Sequence, residues 1–189
     1  KSGARFDEKR LLWLNGAHIR NIPVDKLYEY VSPWDNNPQK DGGQTGFWPE
    51  SAYAPNITKE YRMKVLALAQ DRLKMFEDLR GFDYFFAEPE INLELIDGNK
   101  QLKKLSGDER RELLETARHE LAKLADWTPE SIQSCLNGLL ETTGQKPGIL
   151  FSLVRIVTTW AQFSPQLSDT LALIGQEKTL QRIDNYLQK

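Results

Sequence analysis

The stretch SGDERRELLETARHELAKLADWTPE, residues 106–130, contains two successive helix starts. Ser106 is followed three residues later by Glu109, a capping-box pattern that predicts a helix running to about Ala125. Thr128-Pro129-Glu130 then combines a capping residue, a proline at the first helical position and an acid near the positive helix end. Capped starts this close together predict short helices joined by tight turns.

Short helices of this kind are predicted along most of the chain. Ser164-Pro165 repeats the start with a cap and a proline, and Gly175 separates the last two helices. Residues 57–79 form the clearest pattern, because apolar residues recur there at three- and four-residue steps. Residues 82–96 fit either a short pair of strands or single-turn helices. The predicted fold class is all-α, with helices at 6–20 (weak at 15–16), 24–31, 57–79, 106–125, from 128, 149–159, from 164, and 177–187.

Composition changes between residues 32 and 56, where four prolines and three glycines occur. This predicts a long loop or linker. The same stretch holds Trp34 and Trp48, so part of it is expected to pack against the helices. We expect two helical subdomains: residues 1–125, which include the loop 32–56, and residues 126–189.

Charge and cysteine content exclude several classes of protein. The net charge is −2 with 28% charged residues, which argues against a uniformly basic nucleic-acid binder but allows a local basic surface. The single cysteine, Cys135, excludes an internal disulfide and a cysteine-based zinc site, and fits a reducing cytoplasm. The sequence has no apolar run of the roughly 20 residues that a membrane helix needs. The first residue is Lys1 rather than Met, so we expect a piece of a longer protein.

The sequence shows no catalytic or metal-binding pattern. Its glycines match neither phosphate-binding loop in spacing or context, and His18 and His119 have no second ligand at helical spacing. Glu88, Glu90 and Glu94 are best interpreted as part of a solvated acidic face, and Cys135 as a buried structural thiol. We therefore predict no catalytic residue and no metal ligand.

Several segments resemble bacterial glutamyl-tRNA synthetases. Residues 6–20, FDEKRLLWLNGAHIR, resemble the family stretch F-D-x-x-K-L-x-W-L-N-G-x-Y-I-R, and residues 126–132, DWTPESI, resemble W-T-x-E-x-[IVL]. Residues 148–159, GILFSLVRIVTT, resemble G-K-x-x-x-P-L-R-x-A-[LV]-T. The motif S-P-x-L follows at 164–167, and [LI]-G-K-E-R-x-L-x-R-[IL] is matched by IGQEKTLQRI at 174–183. The order and spacing of these pieces carry the resemblance.

The resemblance implies a fold and a function. The fold is an all-α cage of two packed helical subdomains, and the function is recognition of the tRNA(Glu) anticodon loop by the C-terminal part of a glutamate–tRNA ligase. The catalytic domain of that parent chain, with its HIGH and KMSKS motifs, is missing here. ATP and Mg²⁺ would bind that domain, so this chain is expected to hold no cofactor and to be inactive alone. A cytoplasmic monomer without membrane contact is expected.

The family uses one arginine to read the last anticodon base, and the motif x-x-R-x-[KD]-[TM]-[LF] places it at Arg72. A guanidinium fork can pair two acceptors on one base edge. Its presence implies discrimination against glutamine tRNA. The alternative is an ordinary surface arginine that pairs with Asp71 or Glu77.

A second set of candidates comes from the later motifs. They are Arg155, Ser164, Pro165 and Leu167, with Ser152 beside them. The turn would offer unpaired helix-start N–H groups and a hydroxyl to a base or phosphate. Arg155 could instead anchor the turn structurally. Leu153 and Trp160 replace a proline and a glycine of the family; Trp160 could stack on a base, but filling space between helices is the favoured interpretation.

Two other functions stay open at this point. One is a stand-alone helical module that binds tRNA or a protein without a role in aminoacylation. The other is a general helical interaction scaffold, which the acidic pI of about 5.8 favours. Salt-sensitive RNA binding separates the scaffold from the RNA binders, because phosphate contacts release counterions.

Overall fold

The structure, a computed structural model, describes residues 7–32, 46–161 and 163–189. Every regular element among these residues is helical, which confirms the all-α prediction. The α-helices are α1 (Glu8–Arg20), α2 (Val24–Val31), α3 (Lys59–Ala69), α4 (Glu94–Asp97), α5 (Gly107–Ala122), α6 (Pro129–Thr143), α7 (Pro147–Thr159), α8 (Leu167–Ile174) and α9 (Gln176–Leu187). The 3-10 segments are Glu50–Tyr53, Gln70–Arg72, Phe76–Phe85 and Leu102–Lys104.

The chain forms two compact units, Lys1–Ala87 and Glu88–Lys189. The boundary expected from the sequence, between residues 125 and 126, lies inside the second unit. In that unit α5 packs against α6, α7 and α9, so the helix before the expected boundary shares a core with those after it. The cap at Thr128 marks the start of a helix and gives no information about which core the helix joins.

The first unit contains a glycine where α1 approaches the chain after α3. Asp7 caps α1 by accepting a 3.2 Å hydrogen bond from the Arg10 N–H. The helix then continues through Asn15 and Gly16 to Arg20, so the expected weak point does not interrupt it. A Cβ on Gly16 would lie 3.2 Å from the Leu73 carbonyl oxygen. Glycine at position 16 therefore allows α1 to pack closely against the backbone at Leu73, and it does not bend the helix.

The single helix expected over residues 57–79 is wrong beyond residue 69. Thr58 caps α3, accepting a 3.1 Å bond from the Tyr61 N–H, but the α-helix ends at Ala69. A 3-10 turn, Gln70–Arg72, follows, and Leu73 is extended. Hydrogen bonds from the Gln70 side chain to carbonyls at the end of α1 replace the regular helical pattern here.

Part of the predicted loop 32–56 packs into the first unit, as expected. Trp48 is 1% exposed, and its Nε1–H donates a 2.7 Å bond to Ser32 Oγ. The buried Arg62 of α3 donates to the Tyr28 hydroxyl at 2.9 Å and to the Ala52 carbonyl at 3.1 Å. Residues 33–45 of the loop, with Trp34, lie outside the described residues.

Residues 82–96 contain no strand. The 3-10 segment Phe76–Phe85 is kinked at Phe82 and covers the first part of this stretch, and the single turn α4 covers the last part. Of the two interpretations left open by the sequence, the helical one is therefore right.

The second unit is built from α4 to α9 around one apolar core. The predicted capping box is present: the Ser106 N–H donates to Glu109 at 2.7 Å, and the Glu109 N–H donates to Ser106 Oγ at 3.2 Å. Thr128 caps α6 with a 3.2 Å bond from the Ser131 N–H, and Gly144 ends that helix with a φ of 66°. Within the described ranges, no helix is both long and apolar enough to span a bilayer.

Candidate nucleic-acid interface

Arg72 lies in the first unit at the last residue of the 3-10 turn that follows α3. Its side chain is exposed, whereas the next residue, Leu73, is fully buried. Within the described ranges, no carboxylate lies at ion-pair distance from the Arg72 guanidinium, so the alternative pairing with Asp71 or Glu77 is not formed. The guanidinium is available to a ligand.

The backbone around Arg72 is held by contacts from other segments. The buried Gln70 side chain donates to the Ile19 carbonyl at 2.8 Å and to the Ile22 carbonyl at 2.7 Å, at the end of α1. The Asn15 side chain of α1 donates to the Lys74 carbonyl. These bonds fix the segment on both sides of Arg72, which reduces the ordering cost of binding.

A residue on the C-terminal side of Arg72 also holds this segment in place. The Asp78 carboxylate accepts hydrogen bonds from the backbone N–H groups of Lys74 at 2.7 Å and Met75 at 2.9 Å. Asp78 lies in the first turn of the 3-10 segment Phe76–Phe85. Side chains thus satisfy the Lys74 N–H and carbonyl and the Met75 N–H, which lie in the non-helical backbone between the two 3-10 segments.

The other five predicted residues lie together in the second unit, where α7 turns into α8. Ser152 and Arg155 are three residues apart on α7 and share a helix face. The Arg155 Nε–H donates a 2.8 Å bond to Ser164 Oγ, and the Ser164 hydroxyl donates to the Pro165 carbonyl at 2.9 Å. The structure therefore brings Arg155, Ser164 and Pro165 into one hydrogen-bonded turn.

Burial separates the roles of these residues. Ser164 is 6% exposed and Leu167 is 3% exposed, and Pro165 is also buried. Leu167 belongs to the core of the second unit, so it anchors the start of α8. Arg155 and Ser152 are half-buried and reach solvent. The turn is a rigid support, and Arg155 supplies its positive charge.

Trp160 ends α7 in the left-handed region, with a φ of 46°. Among the described residues it is the only non-glycine residue with a positive φ. Such a conformation costs a bulky residue on the order of 1–2 kcal/mol. The indole packs against the core, with its ring centroid 6.2 Å from that of Tyr186, which supports the interpretation of Trp160 as core filling.

The N-terminus of α8 faces the same turn. The first N–H groups of a helix have no partner within the helix, and here they belong to Leu167, Ser168 and Asp169. Gln166 precedes them, and its side-chain amide donates to Ser168 Oγ at 3.2 Å. The acidic side chain of Asp169 in the first turn disfavours a phosphate, so these donors suit the neutral oxygen or nitrogen acceptors of a base.

Sequence reasoning missed the two exposed side chains of this turn, Phe163 and Gln166. They flank the buried pair Ser164-Pro165. The sequence shows only one phenylalanine beside a proline, in Gln162-Phe163-Ser164-Pro165. A single aromatic residue has no periodicity, so the sequence does not distinguish an exposed Phe163 from a core residue.

Other kinds of site have little support among the described residues. They contain no group of three or more His, Cys, Asp or Glu side chains placed to hold a metal ion. Burial raises the pKa of the Cys135 thiol above its ordinary value, which lowers its reactivity. Cys135 is half-buried against the core rather than fully buried as expected, and its lowered reactivity fits a structural thiol.

Comparisons with known proteins identify the family to which the chain is similar. The sequence profile of the family described as "Anticodon binding domain" matches residues 26–187, most of the chain. A glutamate--tRNA ligase of Exiguobacterium sibiricum is 28% identical over 187 residues, covering 97% of this chain and 36% of the relative. A glutamate--tRNA ligase of Roseiflexus castenholzii is 31% identical, covering 97% of this chain and 34% of the relative.

The fold is also found in solved structures. A glutamate tRNA ligase from Elizabethkingia meningosepticum, crystallised in complex with its amino acid, matches with a TM-score of 0.70 at 20% identity. The match covers all of this chain and 34% of that one, and at this identity it shows the fold alone. The chain spans about a third of the length of the curated relatives. These findings confirm the resemblance seen in the motifs, and the chain belongs to the family of anticodon binding domains.

Proposed function

We propose that this chain is the C-terminal anticodon-binding region of a glutamate–tRNA ligase and that it binds the anticodon loop of tRNA(Glu). The observation that carries the proposal is Arg72, an exposed arginine on a backbone fixed by Gln70, Asn15 and Asp78. A long, flexible side chain reads a base edge well only when its attachment point is fixed. The family of the chain and its similarity to glutamate–tRNA ligases indicate that the ligand is a tRNA anticodon loop.

The chemistry of Arg72 favours a cytosine as the last anticodon base. The Watson–Crick edge of cytosine presents two neighbouring acceptors, and a guanidinium can donate to both. Guanine presents a donor beside its acceptor, so one arginine N–H would face an N–H. A C-to-G change separates glutamate from glutamine tRNA, and we expect this chain to discriminate between them.

The second unit would hold the remaining anticodon bases at the α7–α8 turn. Arg155 supplies charge close to the loop, and the backbone N–H groups at the start of α8 donate hydrogen bonds to acceptor atoms on the base edges. Ser164 and Pro165 shape the turn from inside. Ser152, on the same face of α7 as Arg155, adds a hydroxyl.

Aminoacylation would take place elsewhere in the parent protein. No residue pattern in this sequence predicts a site for ATP or Mg²⁺. In this proposal both belong to the catalytic domain of the parent chain, the chain by itself is inactive, and the parent works as a cytoplasmic monomer.

Binding of an anticodon stem-loop under changing salt tests the proposal. The chain is titrated with the tRNA(Glu) stem-loop and with the same stem closed by an unrelated tetraloop. We expect preference for the anticodon loop and affinity that falls as salt rises, because phosphate contacts release counterions. Equal binding to both loops, or no binding to either RNA, would overturn the proposal and leave a protein-interaction scaffold as the better account.

A further inference from the structure

Phe163 is the most exposed large hydrophobic side chain among the described residues, at 80%. The next is Trp13, in the first unit, at 64%. The Phe163 ring takes part in no aromatic pair within the described ranges, and it lies outside the core of the second unit. Packing among the described residues therefore gives no reason for a phenylalanine here.

The residues that follow this ring along the chain are anchored in the second unit. The next residue, Ser164, is buried and hydrogen-bonded to Arg155 and Pro165. Leu167 anchors the start of α8 in the core. An exposed ring on an anchored turn loses little conformational freedom when a ligand covers it.

The surroundings of Phe163 indicate the chemistry of that ligand. A protein-docking surface is a contiguous apolar patch, whereas the residues that follow the ring along the turn are buried or, like Gln166, polar. The positively charged guanidinium of Arg155 is hydrogen-bonded to Ser164, the residue adjacent to Phe163. A single aromatic ring beside an arginine and hydrogen-bond donors is the combination that binds an unpaired nucleic-acid base.

We infer that Phe163 is a stacking platform for one of the three anticodon bases, next to the Arg155–Ser164 turn. The inference rests on the proposed function and adds a specific contact to it. Every base has a π face, so stacking adds affinity without selecting a base. Selection among bases stays with Arg72 and with the donors at the start of α8.

Four versions of the full chain test this inference: wild type, Phe163→Ala, Phe163→Tyr and Phe163→Leu. Each is titrated with the tRNA(Glu) anticodon stem-loop. Loss of a stacked base by alanine substitution corresponds to a loss of affinity of about 5- to 150-fold. We expect that loss for Phe163→Ala, a clear loss for Phe163→Leu, and near wild-type affinity for Phe163→Tyr. The salt dependence stays unchanged, because no charge is removed.

Abasic substitutions in the RNA identify the stacked base. Three stem-loops, each lacking one anticodon base, are compared for wild type and Phe163→Ala. The effect of Phe163→Ala should vanish for one of the three loops and persist for the other two. An effect of equal size in all three would mean that the ring contacts no anticodon base, and the inference would fail.

Trp13→Ala provides the matched control, since it removes another exposed aromatic side chain. It should leave affinity unchanged; an equal loss from Trp13→Ala would overturn the inference. If wild type binds the loop and Phe163→Ala binds it equally well, stacking by Phe163 is wrong while the proposed function stands. If wild type does not bind the loop, both fall.

Discussion

The Nε–H of Arg155 donates a 2.8 Å hydrogen bond to Ser164 Oγ, joining α7 to the turn before α8. The Ser164 hydroxyl in turn donates a 2.9 Å hydrogen bond to the Pro165 carbonyl. Arg155 therefore anchors the turn, which is one of the two interpretations of this residue that the sequence allows. Anchoring and RNA contact are compatible, because a fixed guanidinium also presents a fixed charge.

Loss of this hydrogen bond should destabilise the chain measurably. Ser164→Ala removes the acceptor of a part-buried bond from a charged donor, and we expect a loss of about 1–2 kcal/mol in the free energy of unfolding. Urea unfolding measures it. Ser134→Ala, at an exposed position of α6, is the control and should change stability by less than about 0.5 kcal/mol. Equal effects from both substitutions would show that the bond contributes nothing.

Gly16 and Gly138 are both glycines inside helices, and alanine should affect them in opposite directions. At Gly138 an added Cβ would meet no atom within 4 Å, so alanine should raise stability by about 0.5–1 kcal/mol. At Gly16 the Cβ would lie 3.2 Å from the Leu73 carbonyl oxygen. Gly16→Ala should therefore lower the melting temperature and, by displacing the segment that carries Arg72, weaken RNA binding. A gain in stability at both positions would contradict the close packing.

Arg182 should contribute more to stability than Arg118, although both pair with an acid. Arg182 is 2% exposed and donates to the Thr158 carbonyl at 2.7 Å and to Glu88 at 3.0 Å. Arg182→Met leaves a buried carbonyl at the end of α7 without that donor, and we expect a loss of about 2 kcal/mol. Arg118 pairs with Asp184 at 2.9 Å, and both side chains are more than a third exposed.

The Arg118 pair provides the comparison for this prediction. Because water screens half-exposed pairs, Arg118→Met should cost less than about 1 kcal/mol. Chemical unfolding of the two variants measures both losses in the free energy of unfolding. A larger loss at Arg118 than at Arg182 would show that burial does not control the strength of these contacts.

The capping box of α5 should make stability depend on pH. The Ser106 backbone N–H donates to the Glu109 carboxylate, and this holds the pKa of Glu109 below its ordinary value. A carboxyl whose pKa is lowered by folding stabilises the folded state fully above its unfolded pKa, and the stabilisation is lost as pH falls through the folded pKa. The contribution is thus present at neutral pH and disappears in acid.

Glu109→Gln removes the charge while keeping the shape of the side chain. Wild type should be more stable than this variant at pH 7, and the difference should shrink and then disappear as the pH falls through the lowered pKa of Glu109. Unfolding curves across this range measure the difference. Glu115→Gln, at an exposed position in the middle of α5, is the control, because it removes a carboxylate of the same helix without removing a capping bond. A Glu109 effect that is independent of pH would contradict the role of its charge.

Local rules predicted the parts of the fold that depend on neighbours along the chain. Ser106 and Thr128 cap the helices that their sequence patterns indicated, because a cap needs only residues three positions apart. The same rules failed where distant residues decide. The predicted helix 57–79 ends at Ala69 because the next residue, Gln70, bonds to carbonyls near the end of α1. Those partners are not recognisable from a local pattern.

The candidate site shows the same division. Motif resemblance alone named Arg72, Arg155 and Ser164, and the structure shows that Arg155 and Ser164 are in direct contact. Their exposure could not be predicted, since it depends on packing between helices distant in sequence. Phe163 was missed for a related reason. A solitary aromatic residue has no pattern, and only its 80% exposure separates it from a core residue.

The central claim is that Arg72 reads the last base of the anticodon of tRNA(Glu). Its most direct test compares affinity for the tRNA(Glu) stem-loop with affinity for the same loop carrying G in place of the last anticodon C, in wild type and in Arg72→Ala. A lost bidentate contact is worth about 1–3 kcal/mol, so wild type should prefer C by about 5- to 150-fold, and Arg72→Ala should show no preference. Equal affinity of wild type for both loops, or a preference that survives in Arg72→Ala, would contradict the claim.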